Sequence, residues 1–178
     1  MASISDNADD SGQKDQSGDA ARSVPSVGAL LGIDYGSKRL GFAVCDRDQT
    51  IASPVENYQR QTSIVDAKAI LRLVADYSIV GLVVGLPVHM SGDEGTQAVE
   101  ARRFGEWAAM ETGLPLQFWD ERFSSHAADV ALFQGAVTKK KQKARRDMLA
   151  ARAILQSFLD TGDRRARPGD LREGRKID

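Results

Sequence analysis

Two short apolar runs separated by a polar turn set the frame for the chain: A-L-L-G-I before Asp34, and L-G-F-A-V-C after Arg39. The pattern predicts antiparallel strands over Ala29–Asp34 and Arg39–Asp46, with Gly36-Ser37-Lys38 as the turn. The first strand thus ends in a carboxylate, Asp34, between Gly32 and Gly36. An acid at the tip of a core strand is costly unless a cation, a hydrogen-bond network or solvent compensates it. A third extended segment, Thr50–Tyr58, contains Pro54, which cannot donate to a ladder and so predicts an edge strand.

Beyond Tyr58 the period lengthens. Thr62 or Ser63 caps a predicted helix with Ile64, Ala67, Leu71 and Val74 on one face. Ile79–Pro87 is apolar without alternation, as in a strand covered on both faces. After the turn-rich loop H-M-S-G-D-E-G comes a helix over Thr96–Thr112 with Ala98, Ala101, Phe104 and Ala108 inward, stopped by Gly113. Leu114–Trp119 is a fifth strand, and helical stretches follow near Ser125–Phe133 and Lys143–Asp160. The order β-β-β-α-β-α-β-α-α predicts an α/β fold of the ribonuclease H-like plan. Its mixed five-stranded sheet is an antiparallel β1-β2-β3 meander continued by β4 and β5, both parallel to β1, with helices on both faces through right-handed crossovers.

One domain over residues 28–160 is expected between two polar tails, 1–27 and 161–178, whose composition buries too little apolar surface to offset ordering entropy. The N-terminal tail carries five acids against two bases and the C-terminal tail six bases against four acids; the segment between balances at 16 of each. With a net charge of −1 over 178 residues, any nucleic-acid site must be a local patch rather than a global field. The lone Cys45 has no disulfide partner, and neither a membrane span nor a signal peptide is evident, so a cytoplasmic protein is expected.

Ligands of partly parallel sheets bind beyond the carboxyl ends of the strands. Asp34 stands there on the first strand and the pair Asp120-Glu121 on the fifth. Asp147 joins them from the last helix, on the stripe of Ala151, Ile154 and Phe158 that faces the sheet. Carboxylates from three distant segments suit hard cations, Mg2+ or Mn2+, and two such ions suit phosphodiester hydrolysis. The competing structural account makes Asp147 a helix N-terminal acid and pairs Asp120 or Glu121 with Arg122. Alternation puts Asp120 and Glu121 on opposite sides of the strand, so one of them shares metal with Asp34. Bases crowd the same edge: Lys38, Arg39 and Arg122, and the run Lys139, Lys140, Lys141, Lys143, Arg145 and Arg146 ahead of Asp147. Acids ringed by bases suit cleavage of a polyanion. Trp119, beside the acidic pair, is a candidate to stack a base or to fill the core.

Five segments also carry a resemblance: L-G-I-D-Y-G-S-K-R-L-G-F-A-V-C-D, I-A-S-P-V, V-V-G-L-P-V-H-M-S-G, W-D-E-R-F-S-S and D-M-L-A-A-R-A-I-L-Q-S-F-L-D. Together, over Leu30–Asp160, they resemble the successive signatures of the YqgF/RuvX family of bacterial ribonuclease H-like proteins. The resemblance implies a cytoplasmic, divalent-metal-dependent nuclease that processes the 5′ end of pre-16S rRNA, or alternatively resolves Holliday junctions. It implies Asp34, Glu121 and Asp147 as the catalytic and metal-binding acids, with Asp120 as runner-up to Glu121. The D-E-R-F-S-S segment departs mildly from the family's D-E-R-L-[ST]-T. RNA or branched DNA is the implied partner, and a monomer or a homodimer is compatible. Two further readings are a non-catalytic nucleic-acid-binding assembly factor and a sugar-kinase-like ATP site, the latter disfavoured because the chain has no room for a second lobe.

Overall fold

The structure, a computed structural model, describes residues 23–89, 94–123 and 139–161, without the side chains of Phe123 and of residues 139–148. The strands are β1 (Ala29–Tyr35), β2 (Arg39–Cys45), β3 (Ala52–Gln59), β4 (Ile79–Leu86) and β5 (Leu116–Asp120). The helices are α1 (Ser63–Tyr77), α2 (Thr96–Thr112) and α3 (Lys139–Asp160), with a 3-10 turn at Glu121–Phe123. The sheet order is β3-β2-β1-β4-β5; β1-β2 and β2-β3 pair antiparallel, β1-β4 and β4-β5 parallel. This is the expected ribonuclease H-like arrangement. Pro54 lies on the edge strand β3 beside a bulge opposite Phe42 and Ala43, where its missing donor costs no ladder bond.

Alternation along the strands divides the core in two. Leu31, Ile33, Phe42, Leu82 and Val84 pack toward α1 and α2. Leu30, Ala43, Val83 and Trp119 pack toward Ala151, Ile154, Leu155 and Phe158 of α3. Gly32 lets α3 lie close to the sheet: a Cβ there would stand 2.7 Å from Leu155 Cβ and 3.2 Å from the Ala151 carbonyl.

The structure corrects several expectations. The buried face of α1 is Asp66, Ala67, Ile70 and Leu73, whereas Ile64 and Leu71 are exposed. The cause is Asp66, whose carboxylate accepts from Tyr58 Oη (2.9 Å), Arg60 Nε (3.1 Å) and Gln61 N (2.8 Å) and so turns the helix about its axis. Thr62 is the N-cap, accepting from Val65 N. Strand β5 starts at Leu116 rather than Leu114, after Pro115 accepts from Leu82 N. Helix α3 starts at Lys139 rather than Lys143.

Residues ahead of 28 also pack on the domain: Gln49 Nε2 donates to the Pro25 and Gly28 carbonyls, and Val24 packs in the α3-side core. Residues 1–22, the loop 90–93, the helix expected at Ser125–Phe133 and the tail beyond Thr161 lie outside the described residues.

Candidate active site

Asp34 shares the parity of Leu30 and Gly32, which places it on the α3 side of the sheet near the carboxyl edge. Its cross-strand partner on β2 is Gly41, and the register that pairs Ile33 with Val84 brings Gly85 alongside it on β4. The acid is therefore flanked on both sides by residues without side chains. On β3, Asn57 pairs with Gly41 and continues the same row.

Glu121 fills the space above Gly85. A Cβ on Gly85 would stand 2.6 Å from Glu121 Oε1 and 2.5 Å from Ile154 Cδ1. Glu121 thus lies on the α3 side, with Trp119 two residues before it. Its carboxyl is pushed up to about 7, first by burial, then by the charges of Asp34 and Asp120. Two acids far apart in sequence meet at one edge, close enough for the charge of Asp34 to oppose ionisation of Glu121.

Asp120 points the other way and is fully buried. It accepts from Arg122 N (3.0 Å), from Arg122 Nε to both oxygens (3.1 and 3.0 Å) and from Arg122 Nη2 (2.7 Å). The structural account offered by the sequence, an acid paired with Arg122, is the observed state of Asp120. Glu121 is the member of the pair placed beside Asp34.

For Asp147 the backbone position follows from geometry. Ala52 N donates to Gln156 at the Cys45 end of the sheet, while Ala151 lies over Gly32, so α3 runs antiparallel to β1. Going back along α3 from Ala151, the backbone of Asp147 lies about one turn further in the direction in which β1 runs to Asp34. Among the described side chains no three acids, histidines or cysteines converge; Asp34 and Glu121 are two, and the side chain of Asp147 is outside the description. The side chains of Lys139, Lys140, Lys141, Lys143, Arg145 and Arg146 are likewise outside it.

Lys38 lies in the exposed turn after Asp34; Arg39, on β2, shares the parity of Gly41 and so the face of Asp34. Trp119 is buried, donates from Nε1 to Ser157 Oγ (3.2 Å) and packs edge-on against Phe158, which removes it as a base-stacking platform. Sequence reasoning missed Gly41 and Gly85 as the floor of the site; the available signal was a glycine on each neighbouring strand inside an otherwise apolar run.

A profile of the RuvX family, described as Holliday junction resolvase, matches residues 28–161. The chain belongs to the RuvX family. Relatives carrying the name "Putative pre-16S rRNA nuclease" include a Rhodopirellula baltica protein, 42% identical over 136 residues, 76% of this chain and 79% of the relative. A Paracoccus denitrificans protein of the same name is 42% identical over 140 residues, 79% of this RuvX-family chain and 89% of the relative. Among solved structures, Thermus thermophilus RuvC with a Holliday junction substrate reaches a TM-score of 0.47 at 17% identity, covering 73% of this chain and 91% of that one. A Fowlpox virus resolvase bound to Holliday junction DNA reaches 0.46 at 9% identity, with coverages of 74% and 96%. Likenesses at that distance carry no argument about substrate or mechanism.

Proposed function

We propose that this RuvX-family chain is a divalent-metal-dependent nuclease that hydrolyses a phosphodiester bond in 5′-end processing of pre-16S rRNA. The observation that carries this reading is the meeting of Asp34 and Glu121 over a glycine floor at the carboxyl edge of the sheet. A half-buried acid held up to about 7 by burial and a neighbouring acid is a place where positive charge is favourable. The donors are oxygens alone, which fits Mg2+ or Mn2+. Two such ions would supply Lewis-acid stabilisation of the leaving oxygen and a nucleophile at neutral pH.

Asp34 would hold both ions, and Glu121 and Asp147 would each hold one. Gly85 makes room for Glu121 beside Asp34, and Gly41 puts no side chain on the other flank, where a phosphate would approach. Lys38, Arg39 and the Lys139–Arg146 segment would hold the sugar-phosphate backbone, with an affinity that falls as salt rises. Among the described residues no helix is long and apolar enough to cross a membrane, and a ribosomal RNA precursor as substrate places the protein in the cytoplasm.

The family description and the relatives' names point to two substrates, so the test offers both. A labelled pre-16S 5′ leader and a four-way DNA junction are incubated with Mg2+, Mn2+ or EDTA. Metal-dependent cutting of the RNA, abolished by Asp34→Asn and by Glu121→Gln with RNA affinity retained, is the expected result. Paired symmetric nicks in the junction by a dimer, with the RNA intact, would establish the resolvase instead. Binding of RNA without cutting, indifferent to both substitutions, would establish an assembly factor.

A further inference from the structure

The motif residue that the function above does not use is Arg122. Its charge and its place beside Glu121 suggest a phosphate contact, yet the geometry around it is that of a clip. The Nε and Nη2 edge of the guanidinium, one of its two edges that can grip a phosphate, is closed by the buried carboxylate of Asp120. Nη1 points to the His89 carbonyl in the loop that leaves β4, at 3.4 Å. The backbone N–H of Arg122 also donates to Asp120 Oδ1, so residue 122 is tied to residue 120 twice over.

A bond from residue i to i+2 closes a ring around the residue between them. Here that residue is Glu121. With Asp120 and Arg122 joined on the α2 side, the 3-10 turn has its curvature set and Glu121 is directed to the α3 side, above Gly85. We propose that Arg122 is a positioning residue rather than a phosphate contact: clamped between Asp120 and the His89 carbonyl, it fixes the turn that aims Glu121 at Asp34. Withdrawing its guanidinium to a phosphate would leave Asp120 charged, buried and unpaired, a greater loss than an exposed phosphate contact returns. The catalytic consequence rests on the nuclease reading; the clip itself does not.

The test uses the full chain and the variants Arg122→Gln, Arg122→Lys, Asp120→Asn and Asp120→Asn/Arg122→Gln. Single-turnover cleavage at saturating RNA is measured with Mg2+, RNA affinity as a function of salt with Ca2+ in its place, and amide exchange across residues 120–123 without metal. A side chain misplaced by about 1 Å costs on the order of 100-fold in rate, and that is the loss expected for Arg122→Gln and equally for Asp120→Asn. Affinity and salt slope stay at parental values, and the turn amides exchange at least about tenfold faster. Arg122→Lys, which keeps the charge but not the fork, also binds as the parent does and does not recover the full rate. The double variant is no slower than the worse single, because the two side chains act as one unit.

The proposal is overturned if Arg122→Gln lowers the salt slope by about one and weakens binding while the saturating rate holds. It is equally overturned if Asp120→Asn is silent, or if the two losses multiply. Should a single variant fail to fold, the double variant, with no buried charge left unpaired, decides: a parental rate overturns the proposal. Should the parent chain cut nothing, the nuclease reading fails, and amide exchange together with the salt slope still decides the clip.

Discussion

Gly85→Ala is the smallest change that reaches the site through packing alone. The added Cβ would stand 2.5 Å from Ile154 Cδ1, 2.6 Å from Glu121 Oε1 and 3.2 Å from Glu121 Cγ. Ordinary carbon contacts are at about 3.5–4.0 Å, so both side chains must retreat by about 1 Å. Ile154 is 2% exposed and enclosed by the α3-side core, whereas Glu121 is a longer, half-buried side chain in the turn after β5. Glu121 therefore takes most of the displacement. Both clashing groups are ends of side chains, which puts the stability cost at the low end of overpacking, about 1 kcal/mol, or a fall in Tm of about 3 °C. The same 1 Å at the carboxylate costs cleavage about 100-fold. Gly32→Ala separates the two effects. Its Cβ meets Leu155 Cβ at 2.7 Å and the Ala151 carbonyl at 3.2 Å, so the α3 backbone itself must move, and the stability cost rises to about 3 kcal/mol. Denaturant unfolding, single-turnover cleavage and RNA affinity on both variants check the reasoning. A Gly85→Ala protein with parental rate, or one whose rate loss equals its loss of folded fraction, would refute it.

Stability without metal should depend on Glu121 in a defined pH window. Its carboxyl ordinarily titrates at 4.5 and is raised to about 7 in the fold, so between those values the native state holds a proton that the unfolded chain has released. Raising the pH through that window then removes about 3 kcal/mol of stability, all of it present below 4.5 and none above 7. The difference between parent and Glu121→Gln in denaturant midpoint against pH reads this term alone, and millimolar Mg2+ should flatten it; a difference independent of pH would contradict the placement of Glu121. Asp66 has the opposite sign. Burial pushes its carboxyl up, but the donors Gln61 N, Arg60 and Tyr58 outweigh that and hold it below 3.8, so its contribution is present above that value and is lost on acidification. Asp66→Ala strands the partly buried Tyr58 hydroxyl and Arg60 and should cost about 2 kcal/mol in unfolding experiments, while RNA affinity is retained.

The sheet was legible because its strands are bounded by chemistry that reads in one dimension: glycine turns, Pro54, and apolar runs that stop at acids. Asp34 and the Asp120-Glu121 pair stand at strand ends, so their meeting at one edge of the sheet is legible from sequence alone. The period of two then separates Asp120 from Glu121. What did not read was anything set by a contact across the sheet. The face of α1 was misassigned because Asp66 counts as polar in a periodicity argument, and its burial depends on Tyr58 and Arg60, which lie outside the helix. Gly41 and Gly85 look like weak points of strands in sequence; only the register with Asp34 shows that both remove a side chain from the same spot.

That register also explains why adjacent acids end β5. A carboxylate above Gly85 is opposed by the charge of Asp34, so a restraint on its backbone favours its placement there. Asp120 supplies the restraint. Buried on the opposite side and neutralised by Arg122 across one residue, it braces the turn at Glu121–Phe123 and with it the backbone that carries Glu121. Asp120 still adds to the repulsion on Glu121, so the restraint has an electrostatic cost, lessened by Arg122. A fold that keeps two like charges at one edge in this way gives up stability that a cation can return. The size of that return, read as the gain in unfolding free energy on adding Mg2+, should fall together in Asp34→Asn, Glu121→Gln and Asp120→Asn, although Asp120 faces away from the site. A metal-dependent gain unchanged in Asp120→Asn would show that Glu121 keeps its place by other means.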